Sequence, residues 1–443
     1  MTEKIKKYLN DEYWRNIILN YVFKFAALFL GLFTVNINIG YLGNALYGLW
    51  VTIASIVSWM SSGDFGVANG LRNELAKAYA ENDKEKEQKL VATAFFTLSK
   101  ISVVLFVVIL ILSEIFFRTG VLQLELRVPM YITGFFFCVN LSVGICQSVA
   151  YSYQKSALTT LIPLLSTIFA IVVVVGLTIF NVEANLSIFA VVHGFASLIP
   201  NLLLVLILKK QGIDFLEIIK RKNNSPEHKK SILNVGLQFF GLQLCGVVLY
   251  STDSLLINYL IDSEMVTKYS IITKVYDSGS MLFSILLIAL WSAVTFHIAQ
   301  KNFDWVIKRV RELVLIWLGF AVGVLIVSVF FNQIVSLWLG EKAFYYEPSL
   351  VILFGVYCAM TALSAIFCNV LNGVGEIKLQ LILAIIGAVL NIPLSIFFAK
   401  YCDMGIFGIK LATFISAFIS AIALPTQAII YLKRNTSKKE KLK

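Results

Sequence analysis

Apolar runs of about twenty residues alternate with short polar connectors from one end of the chain to the other. A helix needs roughly 20 such residues to cross about 30 Å of hydrocarbon, so each run predicts one transmembrane span. About twelve are read, at 17–39, 44–62, 93–113, 129–151, 157–180, 186–208, 232–257, 266–296, 309–331, 348–372, 377–399 and 405–432. Gly40 and Gly43 supply a tight turn between the first two. The eighth run is long, and is expected to tilt or to extend beyond the bilayer.

The most informative connector runs from Ser61 to Ala92. Gly63, Gly66 and Gly70 interrupt the pattern as polarity begins, and Leu71, Leu75 and Tyr79 then recur every four residues, as on one helix face. The expectation is a glycine-punctuated bend leading into a short amphipathic helix at the membrane surface. Asp64, Arg72, Glu74 and Lys77 give the bend mixed charge, and Asn82 to Lys89 is almost wholly hydrophilic.

The stretch GDFGVANGLRN, from Gly63 to Asn73 after the second apolar run, resembles polysaccharide flippases of the Wzx type. These belong to the multidrug/oligosaccharidyl-lipid/polysaccharide exporter superfamily, abbreviated MOP. The motif covers only about a dozen residues, while the layout of spans covers the whole chain. The resemblance implies a MATE-like fold of two six-helix bundles around a central cavity. It further implies an undecaprenyl-pyrophosphate-linked oligosaccharide as substrate, an O-antigen or capsular repeat unit, carried by alternating access while its prenyl tail stays in lipid. Other partners implied are membrane lipids, the polysaccharide polymerase and chain-length machinery, and H+ or Na+ as coupling ion. No cofactor and no nucleic acid are expected.

Composition agrees with a membrane chain: 58% of residues are hydrophobic, 14% are charged, and the mean hydropathy is +0.82. The six cysteines lie within or beside apolar runs without a CxxC pair, and read as small buried hydrophobes. In a soluble protein the net charge of +11 would point to nucleic acid; here its location matters. With the N-terminus in the cytoplasm, and with basic residues in the first three positions of a span counted with the segment before it, 28 of the 37 basic residues fall on inside segments and 5 on outside ones. By the positive-inside rule both termini are expected in the cytoplasm of a bacterial cell, with the chain in its inner membrane.

Six spans per half place both halves in the membrane from the same side, as a parallel repeat. Ile18-Leu19-Asn20 and Ile232-Leu233-Asn234 each follow a charged patch at the opening of a half. The expected organisation is an N-terminal six-helix bundle, 1–208, a basic cytoplasmic linker, 209–231, and a C-terminal bundle, 232–443. Phe215, Leu216 and Ile219 in the linker have helix-like spacing among seven basic residues. They suit either an interfacial helix on anionic headgroups or a solvated linker.

Charges within spans need a reason, because a central lysine or aspartate costs about 2.5–3.5 kcal/mol to insert. Lys24 lies roughly 10 Å below the cytoplasmic face of the first span, Lys100 at a similar depth in the third, and Lys274 about 12 Å from the outer face of the eighth. With Arg72 they are the candidate contacts to an anionic substrate. Asp64, Asp253 and Asp277 are the candidates for a gate or an ion-coupling site, although Asp277 can also neutralise Lys274 one helical turn away. Lys410, near a helix end, reads as a lysine snorkelling to the headgroups. His193 and the asparagines Asn20, Asn36, Asn38, Asn234, Asn369 and Asn391 read as packing and interhelical contacts. Tyr151 and Tyr153 suit an interfacial aromatic belt, with stacking on a sugar as the alternative.

Motifs for a serine hydrolase, zinc protease or nucleotide-binding loop are missing, and the three histidines are scattered. The expectation is a transporter rather than an enzyme, with no metal site. A MATE-type multidrug or cation antiporter is the alternative within the superfamily, and would favour acidic, aromatic cavity walls. A scaffold without transport is the third class, and lacks the large soluble domain such proteins use.

Overall fold

The computed structural model describes residues 12–59, 63–119, 124–210, 213–220, 226–261, 263–339 and 344–441. The charged N-terminal patch with Lys4, Lys6 and Lys7, as well as Ser61, Arg221, Lys222 and Lys342, lies outside the described residues. Among the described residues every regular element is helical. The chain divides into two compact units, Met1–Leu237 and Gln238–Lys443.

The first unit opens with α1 (Glu12–Trp59), which holds both of the first two expected spans and leaves helical geometry at Gly43, where φ is 75° and ψ 167°. It continues through α2 (Val67–Ala80), α3 (Lys84–Arg118), α4 (Arg127–Val143), α5 (Ile145–Ser152), α6 (Ser156–Ile179), α7 (Leu186–Lys210), α8 (Phe215–Lys220) and the start of α9 (Pro226–Leu260). Helix α1 packs on α6, α3 on α4, α4 on α7, and α2 on α3 and α5. Polar side chains join the helices inside: Asn20 donates to Ser156 Oγ at 3.1 Å and accepts from Thr160 Oγ1 at 2.7 Å, tying α1 to α6. Outside, α3 shows Val103, Val104, Val107 and Ile111 to the surroundings. This is the arrangement expected in a bilayer, where exposed apolar surface carries no penalty and interhelical hydrogen bonds contribute to association.

The described part of the linker around Phe215 is folded onto this unit. Phe215 is buried in the core with Leu204, Leu208 and Ile213, and its ring meets Phe95 edge-on at 5.9 Å. It therefore faces protein rather than headgroups or solvent; the side chains of Leu216 and Ile219 lie outside the described residues. The division between units falls inside α9, after Leu237, rather than before Ile232.

The second unit holds the rest of α9 with α10 (Ser263–Leu287), α11 (Leu290–Ala299), α12 (Phe303–Val329), α13 (Phe331–Leu339), α14 (Pro348–Val374), α15 (Lys378–Ile396), a π-helical turn (Phe397–Tyr401) and α16 (Gly405–Lys441). Helix α14 is its axis, packing on α10, α11, α12 and α16. Tyr276, Phe331, Tyr346 and Phe354 fill the core around it. The long eighth run is broken between α10 and α11 rather than being one tilted rod. The gap left between the eighth and ninth runs, 297–308, shrinks to a turn, because α12 begins at Phe303 with Asn302 Oδ1 accepting from the Trp305 amide at 3.3 Å.

Ten helices among the described residues are long and apolar enough to cross a membrane. The second arm of α1, as far as Trp59, and α9 lie at the two remaining expected positions, 44–62 and 232–257. The protein is an all-α polytopic membrane protein of about twelve membrane helices in two bundles.

Candidate functional site

The bend begins with Asp64, whose carboxylate accepts from the amides of Gly66 at 3.1 Å and Ala68 at 3.2 Å. These amides open α2 and would otherwise lack partners. Burial pushes the Asp64 carboxyl above its ordinary value of 3.8, and the two N–H donors pull it back in part. Gly66 has φ +74°, a left-handed geometry, and a Cβ there would lie 1.9 Å from the carbonyl oxygen of Gly236. At Gly70 a Cβ would lie 2.2 Å from the carbonyl oxygen of Ile232. The glycines of the motif thus let α2 lie directly against the backbone of α9. Ser231 adds a hydrogen bond to Glu74 at 2.9 Å, and Lys77 pairs with the same carboxylate at 2.9 Å.

Helix α2 is not a surface helix: Val67, Leu71, Leu75 and Ala78 are fully buried against α3, α5 and α9. Its polar side carries Arg72, only 9% exposed, with the guanidinium carbon 4.2 Å above the ring centre of Tyr151. Such a cation–π contact is worth about 0.5–2 kcal/mol as solvent is excluded. Burial lowers the guanidinium to about 10, with Tyr151 acting the other way, so Arg72 carries its charge at neutral pH. The Arg72 carbonyl accepts from Ser152 Oγ at 3.0 Å, which holds α2 to the end of α5.

Arg72 and Asp64 line one cavity of about 370 Å³ with Asn69, Asn140, Gln147 and Tyr151. Its wall is braced from α7. Asn140 donates to Ser197 Oγ at 2.7 Å, Asn201 donates to Asn140 Oδ1 at 3.2 Å, and Gln147 donates to Asn201 Oδ1 at 2.8 Å. A buried cation, amides and an aromatic face are suited to a small anionic or hydroxyl-rich group.

The other expected residues are placed elsewhere. Lys24 on α1 is partly buried and Lys100 on α3 is exposed, and neither lines this cavity. In the second unit Lys274 and Asp277 are both exposed on α10, and no ion pair joins them among the described residues. Asp277 is instead within electrostatic reach of Lys410. Asp253 is buried, accepting from Tyr269 Oη at 2.5 Å and from Thr413 Oγ1 at 3.0 Å.

Lys410 corrects the reading from sequence. It is 6% exposed, with Nζ 3.7 Å from the ring centre of Tyr357 and 4.4 Å from that of Phe354. It cannot snorkel, because α14 covers it. Tyr151 likewise serves the Arg72 cavity rather than an interfacial belt. Tyr153 is internal, hydrogen-bonded to the buried Glu87 and packed on Tyr79. His193 is held between Trp50 and Phe189, with ring centres 4.8 and 4.4 Å away, as a packing residue.

A family profile described as MatE matches residues 240–397. A protein of Yersinia pseudotuberculosis provisionally named an O-antigen export protein is 24% identical over 368 residues, covering 80% of this chain and 82% of that one. A Salmonella typhimurium protein provisionally named an O-antigen transporter is 22% identical over 401 residues, covering 86% and 88%. Among solved structures, a multidrug resistance MATE transporter of the MOP superfamily in its outward-facing conformation has a TM-score of 0.75 at 16% identity, over 99% of both chains. A MOP superfamily transporter from Pyrococcus furiosus has a TM-score of 0.77 at 14% identity, over 98% of this chain and 99% of the other. The chain thus has the fold of these transporters, carries a MatE-like stretch within its second unit, and is similar along most of its length to the two relatives named for O-antigen export.

Proposed function

We propose that the protein is a flippase, carrying an undecaprenyl-pyrophosphate-linked oligosaccharide from the cytoplasmic to the outer leaflet of the bacterial inner membrane by alternating access. The observation that carries this reading is the buried Arg72, set by the GDFGVANGLRN stretch over Tyr151 in a polar cavity. Arginine gives bidentate contacts to phosphate oxygens, and neighbouring amides and an aromatic face suit sugar hydroxyls and ring faces. The O-antigen export names of the two relatives support the same substrate class.

Within this reading Arg72, Lys24, Lys100 and Lys274 meet the diphosphate at successive stages, and Asp64, Asp253 and Asp277 serve gating or ion coupling. Both termini lie in the cytoplasm, and the polymerase and chain-length machinery act on the product. The protein performs no covalent chemistry in this scheme. The structural likeness to MATE transporters favours a second reading, antiport of organic cations.

One experiment separates them. Deleting the gene should leave a lipid-linked glycan on the cytoplasmic leaflet, restored to export by the wild-type chain. Normal glycan export in the deletion strain, with a gained sensitivity to cationic drugs, would instead establish the antiporter.

A further inference from the structure

The second unit contains a buried lysine and a buried aspartate, with the exposed Asp277 in their field, that substrate binding at Arg72 does not use. Lys410 stands one turn into α16, under the faces of Tyr357 and Phe354 from α14. The groups within its electrostatic reach are Asp253 of α9, Asp277 of α10 and Cys358 of α14. Asp253 is 4% exposed, and both its oxygens are engaged. Tyr269 of α10 donates to Oδ2, and Thr413, three residues after Lys410, lies 3.1 Å from Oδ1 and 3.0 Å from Oδ2. Asn391 of α15 donates to Thr413 Oγ1 at 3.0 Å, and Thr252 donates to Asn391 Oδ1 at 3.4 Å. Helices α9, α10 and α16 therefore meet at one carboxylate, and α15 joins them through Thr413.

A buried ammonium is stable only while compensated, and losing its carboxylate partner leaves the neutral amine favoured. The compensating groups here sit on α9, α10 and α14, while the lysine sits on α16. Any movement of α16 against those helices changes the compensation directly. Lysine, unlike arginine, can respond by giving up its proton.

We propose that Lys410 is the proton-exchange site of this transporter: its ammonium lies against the two aromatic faces and in the field of Asp253 in one conformation, and its proton passes to water in another. The exchange is a simple acid–base step, from Nζ–H+ to water on one side and from water to the neutral amine on the other. The lysine supplies the cation that balances Asp253, so the proton is the coupling ion. This deepens the transport reading, and rests on it only in requiring two conformations.

The test needs no glycan, so its outcome is separate from whether the wild type moves one. The full-length protein, with the exposed Cys402 replaced by serine, carries nitroxides at the exposed positions Phe180 and Leu337. It is placed in bilayers of phosphatidylethanolamine and phosphatidylglycerol, and the distance distribution is followed from mildly acidic to mildly alkaline buffer by double electron–electron resonance. In the wild type the ratio of two distance populations should change with pH, by up to about tenfold per pH unit, the limit for one linked proton. Lys410→Arg keeps the charge but cannot release a proton, and should hold one ratio across the range; Lys410→Gln should do the same. A pH response retained in Lys410→Arg, a wild type without one, or a wild type that answers to sodium alone would each overturn the assignment.

Discussion

Gly70 lies so close to the backbone of Ile232 that a Cβ on it would sit 2.2 Å from the Ile232 carbonyl oxygen. The contact joins the bend helix α2 to the start of α9. A methyl group there has no flexible neighbour to displace, so Gly70→Ala should destabilise the first unit by about 1–3 kcal/mol or more, as overpacking does. Thermal unfolding of the purified protein in detergent reads this. Gly176→Ala, at a helical glycine with open space around it, is the control and should change little.

Arg72→Ala should lower glycan export about tenfold or more, the loss expected when one hydrogen bond to a charged group, about 1.5–3 kcal/mol, is removed. Arg72→Lys should recover part of it, because charge is kept while the fork geometry is lost. Asp64→Asn should also impair export while protein abundance is unchanged, if the bend acts as a gate. Loss of abundance in these variants would mean that the bend serves folding alone.

Glu74 gives a pH prediction. Burial raises its carboxyl, but Lys77, the Ser231 hydroxyl and Lys86 outweigh that and hold it below its ordinary value of 4.5. A depressed carboxyl contributes stability that is present above the unfolded value and is lost as pH falls through the folded one. The wild type should therefore lose stability below about 4.5 faster than Glu74→Gln, measured as unfolding midpoints across an acid series. Parallel curves would show that the α2–α9 contact does not depend on this charge.

Lys24 and Lys274 are proposed to hold the diphosphate in turn, from the first and second units. An unpaired dianion in low-dielectric surroundings needs a counter-charge at each stage. Lys→Ala should abolish export at either position, and Lys→Arg should restore part of it. Full export in Lys24→Ala, together with rescue of Lys274→Ala by Asp277→Ala, would show that neither lysine meets substrate.

Orientation is testable without substrate. Cysteines introduced at Lys342 and Lys400 should react with an impermeant thiol reagent from outside, and those at Lys86 and Lys222 should not. Labelling at Lys222 from outside would invert the topology.

Hydropathy alone determined the number and approximate limits of the membrane helices, because burial in lipid demands long apolar runs wherever a chain crosses it. The motif was also legible, as glycines set among polar residues at a helix start. Their purpose was not, since the carbonyls that Gly66 and Gly70 approach belong to Gly236 and Ile232, far along the chain. Depth along a helix is a one-dimensional measure, which is why Lys410 reads as a shallow, snorkelling lysine. Only the tertiary structure put Tyr357 and Phe354 over it and Asp253 within its field, and brought Thr413 to a carboxylate 160 residues earlier. It likewise left Asp277 without an ion pair to Lys274 and set Tyr151 beneath Arg72. Span positions follow from each segment's own contact with lipid, whereas the polar sites arise from pairings between helices, which no local pattern encodes.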